Sequence, residues 1–165
     1  MHHITNMHGR QKRATGDSPV NEKPRATFAI VVHTLLVQSG RWFLVRRANT
    51  GYLDGAYTLP GGHVRRGEGV VAAALRECRE EAGVDIVPAD LELIAAMPYQ
   101  TADLQGVDFI ARATRWAGTP RVAEPHHFDD CCWAEPGALP DPLAPFIPAL
   151  VEMQTLGAWF RELID

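Results

Sequence analysis

Hydrophobic and polar positions divide the chain into two regions. Residues 1–24 are polar, rich in His, Gly and charge, and show no period. Such a stretch buries too little apolar surface to offset its ordering entropy and reads as a disordered tail. A basic targeting tail is the minor alternative, and Met1 and Met7 are both possible starts. From residue 25 to residue 165 the pattern is that of one folded domain. Thr27 to Val37 is rich in β-branched and apolar residues, Ser39-Gly40 is a turn, and Trp42 to Arg46 returns as a second strand. Asn49 to Gly55 is a Gly-punctuated loop, Ala56 to Leu59 is a short strand stopped by Pro60, and Gly61-Gly62 opens another loop. Gly69 to Ala82 has helical periodicity with Gly83 as its stop. Leu91 to Met97, Val107 to Trp116 and Asp130 to Ala134 read as strands, and a last helix covers roughly Ala144 to Leu163. Hairpin-joined strands mixed with two helices predict an α/β (α+β) fold, a central mixed sheet with helices on its faces.

Composition narrows the class. Hydrophobic residues make up 46% of 165 residues, enough for a real core, and no apolar run is long enough to cross a bilayer. Cys78, Cys131 and Cys132 form no Cys-x-x-Cys pair, so neither a disulfide framework nor a zinc site is indicated, and a reduced, cytoplasmic setting is expected. The first 25 residues hold Arg10, Lys12, Arg13, Lys23 and Arg25 against Asp17 and Glu22, a net +3, so the remainder carries −7 of the total −4. An acidic domain is a poor binder of nucleic-acid polymers, which need a basic face. Beyond Lys23 every basic residue is arginine; compositional bias explains this as readily as phosphate recognition does.

The helix from Gly69 carries the candidate chemistry. Val71, Ala74, Leu75, Cys78 and Ala82 form one apolar face. Glu77, Glu80 and Glu81 stand at i, i+3 and i+4 and share another. Three neighbouring carboxylates near a helix C-terminus repel each other and the helix dipole. A solvated face is the usual fate of such a run. A compensating cation is the alternative, and an all-carboxylate set suits Mg²⁺ or Mn²⁺. The preceding loop shifts the balance: Gly61 and Gly62 follow a proline and let the backbone approach a ligand closely, and Glu68 sits near the helix start, where an anion is favoured.

The full pattern is Gly62-x5-Glu68-x7-Arg76-Glu77-Cys78-x-Glu80-Glu81-x-Gly83-Val84. It resembles the Nudix box at every fixed position; Cys78 takes a site where a bulky aliphatic residue is usual and serves as a small hydrophobe. Weaker similarity to small MutT-like members extends over Gly51 to His63 and over Glu124-Pro125, Trp133 and Leu139-Pro140. The resemblance implies an α/β/α sandwich and a loop–helix–loop metal site. It implies Glu77, Glu80 and Glu81 as metal ligands with the Gly61 carbonyl, and Arg76 as the residue tying Glu68 and the helix in place. Glu77 is the first candidate for general base and Glu124 the second. Gly62, Glu68 and Gly83 support the site, and Arg46, Arg47 and Tyr52 are candidate substrate contacts, with Phe109 a weaker one.

The expected activity is hydrolysis of a diphosphate linkage in a nucleotide, a nucleoside triphosphate giving a monophosphate and pyrophosphate. An ADP-ribose-type substrate is the rival reaction, and a non-catalytic nucleotide-sensing module or an isomerase on this fold are rivals from other classes. Retention of every box carboxylate argues against the last two. No membrane or nucleic-acid polymer is expected as a partner, and monomer and homodimer both remain open. The other conspicuous residues have plainer readings: His126-His127 beside Asp129-Asp130 as a solvated loop near the site, His63 as loop, Cys131-Cys132 as strand packing, and Tyr57, Trp116 and Trp133 as core aromatics.

Overall fold

A computed structural model describes residues 26–164; the expected tail, residues 1–24, lies outside them. The elements in order are β1 (Ala29–Gln38), β2 (Arg41–Arg47), β3 (Tyr57–Thr58), β4 (Gly61–His63), α1 (Val70–Glu77), a π-helical turn (Cys78–Ala82), a 3₁₀ turn (Pro88–Asp90), β5 (Leu91–Gln100), β6 (Gln105–Ala113), β7 (Phe128–Ala134), α2 (Phe146–Leu156) and β8 (Leu163–Ile164). The β1–β2 hairpin turns at Ser39 and Gly40, both at positive φ (52° and 75°), the geometry that matches strand twist in a two-residue turn.

The sheet is mixed. Its strand order is β3-β2-β1-β6-β5-β8, with β4 added to β1 and β7 to β2. β1 runs parallel to β6 from Ala29↔Gly106 to Leu36↔Ala113 and antiparallel to β4. Alternate β1 residues face opposite layers. Val32 packs with Ala73, Ala74 and Ala111 beneath α1, where small side chains let the helix sit close. Leu35 packs with Met97, Ile110, Ile147, Leu150 and Met153 beneath α2. A third cluster, including Leu36, Phe43, Cys78, Ala82 and Phe128, lies under the π-helical turn. The result is an α/β/α sandwich. Among the described residues no helix is long and apolar enough to cross a membrane.

Three expectations are corrected. Gly61 and Gly62 lie in strand β4, paired as His33↔Gly61 and Val32↔Gly62; the β1 edge overrides their turn propensity, and Gly61 fits because a Cβ there would stand 2.2 Å from the Val32 carbonyl oxygen. The long helix is α only to Glu77 and then widens into the π-helical turn before Gly83 caps it at φ 68°. The last helix starts at Phe146 and stops at Gly157 (φ 65°), with the Ala158 N–H bonded to the Met153 carbonyl at 2.9 Å. The chain beyond it becomes extended: Ala96 of β5 donates to Trp159 O at 2.8 Å, and β8 runs parallel to β5.

Candidate active site

The turn between β4 and α1 and the π-helical turn build one acidic centre around Arg76. The Arg76 guanidinium grips Glu68 through two bonds, Nε to Oε1 at 2.8 Å and Nη2 to Oε2 at 3.0 Å. Nη2 also donates to the His63 carbonyl at 3.2 Å. Nη1 contacts the Glu77 carboxylate and donates to Glu80 Oε2 at 3.1 Å. The Arg76 side chain is mostly buried, so this shared cation holds Glu68 and Glu77 in a poorly solvated place, with Glu80 at its solvent side. Its bonds, with the Arg65 N–H, hold the Glu68 carboxyl down to about 2.

Glu81 differs from its neighbours. It is 8% exposed and accepts the Gly61 N–H at 2.7 Å. Burial pushes its carboxyl up to about 8; the Gly61 bond and Arg47 oppose this, and the charges of Glu77 and Glu124 add to it. Glu77 is buried beside Gly62, where a Cβ would come within 2.7 Å of its Oε1. Gly62 therefore leaves the space in which Glu77 sits. The π-helical turn matters here: the extra residue in the turn places Glu81 inward at Gly61 while Glu80 stays nearer solvent, with its side chain 43% exposed.

Among the described residues no three His, Cys, Asp or Glu side chains are already gathered as a metal-holding set; Arg76 stands between Glu77 and Glu80. The donor chemistry nevertheless fits a hard divalent cation. The oxygens are all carboxylate or backbone, Glu81 is buried with no cationic hydrogen-bond donor among the described residues, and the Gly62 cradle keeps the approach open. At Gly61 it is the N–H that meets Glu81 in this structure.

A cleft of about 310 Å³ opens beside Glu81, lined by Arg47, Asn49, Thr50, His127 and Phe128. Arg47 organises its rim: Nε donates to Tyr52 O at 2.8 Å, Nη2 to Thr50 Oγ1 at 3.1 Å, and the guanidinium stands 5.6 Å from the Tyr52 ring centroid. Asp54 caps this loop through Thr50 and Gly51. Glu124 is tied to the acidic helix by its neighbours, since Ala123 N–H donates to Glu81 O at 2.9 Å and Arg121 N–H to Ala82 O at 3.1 Å. Its Oε2 lies 3.2 Å from His127 Nδ1. His127, read from the sequence as part of a solvated loop near the site, lines the cleft itself.

Other candidates lie elsewhere. Arg46 does not line this cleft and bonds Asp129 Oδ1 at 2.7 Å. Phe109 packs against the α1 layer with Val32. Tyr57 bonds Asp130 Oδ2 at 2.6 Å, Trp116 stacks on Trp133 at 6.1 Å, and Cys78, Cys131 and Cys132 are free thiols. A larger hollow of about 500 Å³, between Trp42 and Asp90, is lined by Arg112 and Arg115, already paired with Glu92 and Asp90.

The α/β/α sandwich thus sets a glycine-flanked, carboxylate-rich helix beside a cleft rimmed by Arg47. A family model, the NUDIX domain, matches residues 25–153. The chain belongs to the NUDIX family of hydrolases, whose members work with divalent metal ions. It is 30% identical over 144 residues to the NAD-capped RNA hydrolase NudC of Stutzerimonas stutzeri, covering 87% of this chain and 46% of that protein. It is 33% identical over 128 residues to the RNA pyrophosphohydrolase of Erythrobacter litoralis, covering 66% and 76% respectively. The chain thus spans about half the length of the first of these relatives. Among solved structures, the MutT NUDIX hydrolase of Burkholderia pseudomallei is similar with a TM-score of 0.71 and 27% identity, covering 77% of this chain and 98% of that one.

Proposed function

We propose that this chain hydrolyses the diphosphate linkage of a nucleotide, converting a nucleoside triphosphate and water to a monophosphate and pyrophosphate. The observation that carries the reading is the buried Glu81 carboxylate on the Gly61 N–H, flanked by Glu77 and Glu80 and open to the Arg47 cleft. Glu77, Glu80 and Glu81, with the Gly61 backbone, are the residues to hold Mg²⁺ or Mn²⁺. When bound there, the ion supplies neutralisation of diphosphate charge and acidification of the attacking water. Arg76, with Glu68, fixes the helix against the β4 turn, and Arg47 is the phosphate contact at the cleft. The water's proton goes to a carboxylate. Glu77 is held by Arg76, whereas among the described residues the one ionic partner of Glu124 is His127, which favours Glu124 as base.

The names of the two relatives favour a second reading, in which the diphosphate belongs to the 5′ end of an RNA. The −7 carried beyond residue 25 weighs against a polymer. The test is a panel of nucleoside triphosphates, ADP-ribose, NAD and 5′-triphosphate or NAD-capped RNA oligonucleotides, each with Mg²⁺ and with separated products. Cleavage of free triphosphates to monophosphate and pyrophosphate is expected. Cleavage of RNA ends alone replaces the mononucleotide reading, and no cleavage of any refutes both. Free thiols fit the proposed cytoplasmic setting.

A further inference from the structure

The proposed reaction uses His127 only as the neighbour of Glu124, yet its side chain lines the Glu81 cleft together with Arg47, Asn49, Thr50 and Phe128. The backbone builds it into that place. The His127 and Phe128 N–H groups both donate to the Glu124 carbonyl, at 3.0 and 3.1 Å, which closes a tight turn. The His127 carbonyl accepts the Ala48 N–H at 2.8 Å, so the turn is fastened to the chain just after Arg47.

A bulge decides which charges face the cleft. β2 and β7 pair as Arg46↔Asp130 and Arg47↔Phe128, so Asp129 is an extra residue between the two pairs. In unbroken register Asp129 would stand opposite Arg47. The bulge gives it instead to Arg46, whose Nε it meets at 2.7 Å, and sets the buried Phe128 opposite Arg47. A carboxylate is thereby withdrawn from Arg47, which donates to the neutral oxygens of Tyr52 O and Thr50 Oγ1. Glu81 apart, the described residues lining the cleft carry no negative charge. Asp54, in the same loop, is taken up by the Thr50 hydroxyl and the Gly51 N–H.

The imidazole is oriented as well. Its Nδ1 lies 3.2 Å from Glu124 Oε2. An ionised carboxylate only accepts, so the proton belongs on Nδ1 and Nε2 is the nitrogen left for the cleft. A phosphate oxygen also accepts. Contact between it and Nε2 therefore needs a second proton on the ring, which then stands as a cation between two anions.

We propose that His127 is a second cation of this cleft, binding with Arg47 the terminal phosphates of the nucleotide and taking up a proton from solvent as it does so. This rests on the reading in which the substrate's diphosphate lies at Glu77, Glu80 and Glu81. Glu124 orients the ring through Oε2, which leaves its Oε1 for the attacking water.

The test follows the ring itself. The His127 ring proton is titrated against pH by NMR, in EDTA, with and without inorganic pyrophosphate, and is assigned by its loss in His127→Gln. Pyrophosphate is expected to raise the His127 midpoint by about one unit, equivalent to about tenfold tighter binding to the charged ring. His126, next in the chain and not among the residues lining the cleft, is the control and moves much less. With Mg²⁺ and a nucleoside triphosphate, His127→Gln is expected to raise KM about tenfold with kcat nearly kept, since glutamine still offers Glu124 an N–H. His127→Lys, which keeps a cation, recovers most of that loss. The side chain is half-exposed, so neither variant is expected to lower the melting temperature. A midpoint that pyrophosphate leaves in place, or moves equally at His126, overturns the proposal, as does an unchanged KM in His127→Gln. A raised midpoint without hydrolysis of any triphosphate supports it and refutes the hydrolytic reading instead.

Discussion

Replacing Glu81 with glutamine separates a carboxylate that waits for a cation from one that merely decorates a helix. The Glu81 carboxyl stands at about 8 in the folded protein against an ordinary 4.5, chiefly through burial. Between those two values the native state holds a proton that the unfolded chain has released, so stability falls as pH rises through the window and the loss is complete above about pH 8. The difference is about 3.5 units, or about 5 kcal/mol at full ionisation. For a domain of this size that is on the order of 15 °C in melting temperature. Gln keeps an oxygen to accept the Gly61 N–H and has no charge to desolvate. Metal-free Glu81→Gln is therefore expected to match the parent near pH 5 and to melt well above it at pH 9. Added Mg²⁺ or Mn²⁺ reverses the order at pH 8, because only the parent offers the full anionic set, and turnover of Glu81→Gln falls by orders of magnitude. The assay is a melting curve at each pH with EDTA and with cation. Parallel curves for the two proteins at every pH would refute the argument that Glu81 carries an uncompensated burial cost.

How much of this was legible beforehand depended on whether the information was local. The acidic helix, its Gly83 stop and the clustering of Glu77, Glu80 and Glu81 follow from spacing, because residues three and four apart on a helix meet whatever surrounds them. Likewise the β1–β2 hairpin is written in Ser39-Gly40. The strand character of Gly61 and Gly62 was not legible, since their pairing depends on β1, about 30 residues upstream, and glycine has no strand preference of its own. Nor was the π-helical turn: five residues, Cys78 to Ala82, keep their apolar and acidic pattern in either geometry, and only Glu81 reaching Gly61 reveals the wider turn. Asp108 and His33 stand 75 positions apart in sequence and meet through the parallel register of β1 and β6. Arg46 and Arg47 looked equivalent as neighbours, yet strand alternation sends one to Asp129 and the other to the cleft.

Four further outcomes are expected. EDTA abolishes turnover and Mg²⁺ or Mn²⁺ restores it, because the carboxylate cluster alone repels a polyphosphate; full rates in a metal-free sample contradict the assignment. Arg76→Ala leaves Glu68, Glu77 and Glu80 without their shared cation and lowers stability in denaturant unfolding at neutral pH. With Glu68 held at about 2 in the parent, that contribution is present above about pH 4.5 and fades as pH falls toward 2, so the two proteins converge in acid. A chain beginning at Arg25 keeps the parent's melting temperature and turnover, since the polar residues before it offer little apolar surface to a core; a drop of several degrees shows otherwise. The adjacent glycines of β4 answer to different constraints and are expected to part company when each is changed to alanine. At Gly61 the new Cβ meets backbone, 2.2 Å from Val32 O and 2.6 Å from His33 Cα, which can only be relieved by moving the sheet, so Gly61→Ala loses about 3 kcal/mol or more and folds poorly. At Gly62 the new Cβ meets the end of the Glu77 side chain at 2.7 Å, which can rotate away, so Gly62→Ala folds within about 1 kcal/mol of the parent while turnover falls at least about tenfold. Melting and turnover measured on both variants decide it: a stable Gly61→Ala, or a fully active Gly62→Ala, breaks the link between β4 and the carboxylates it positions.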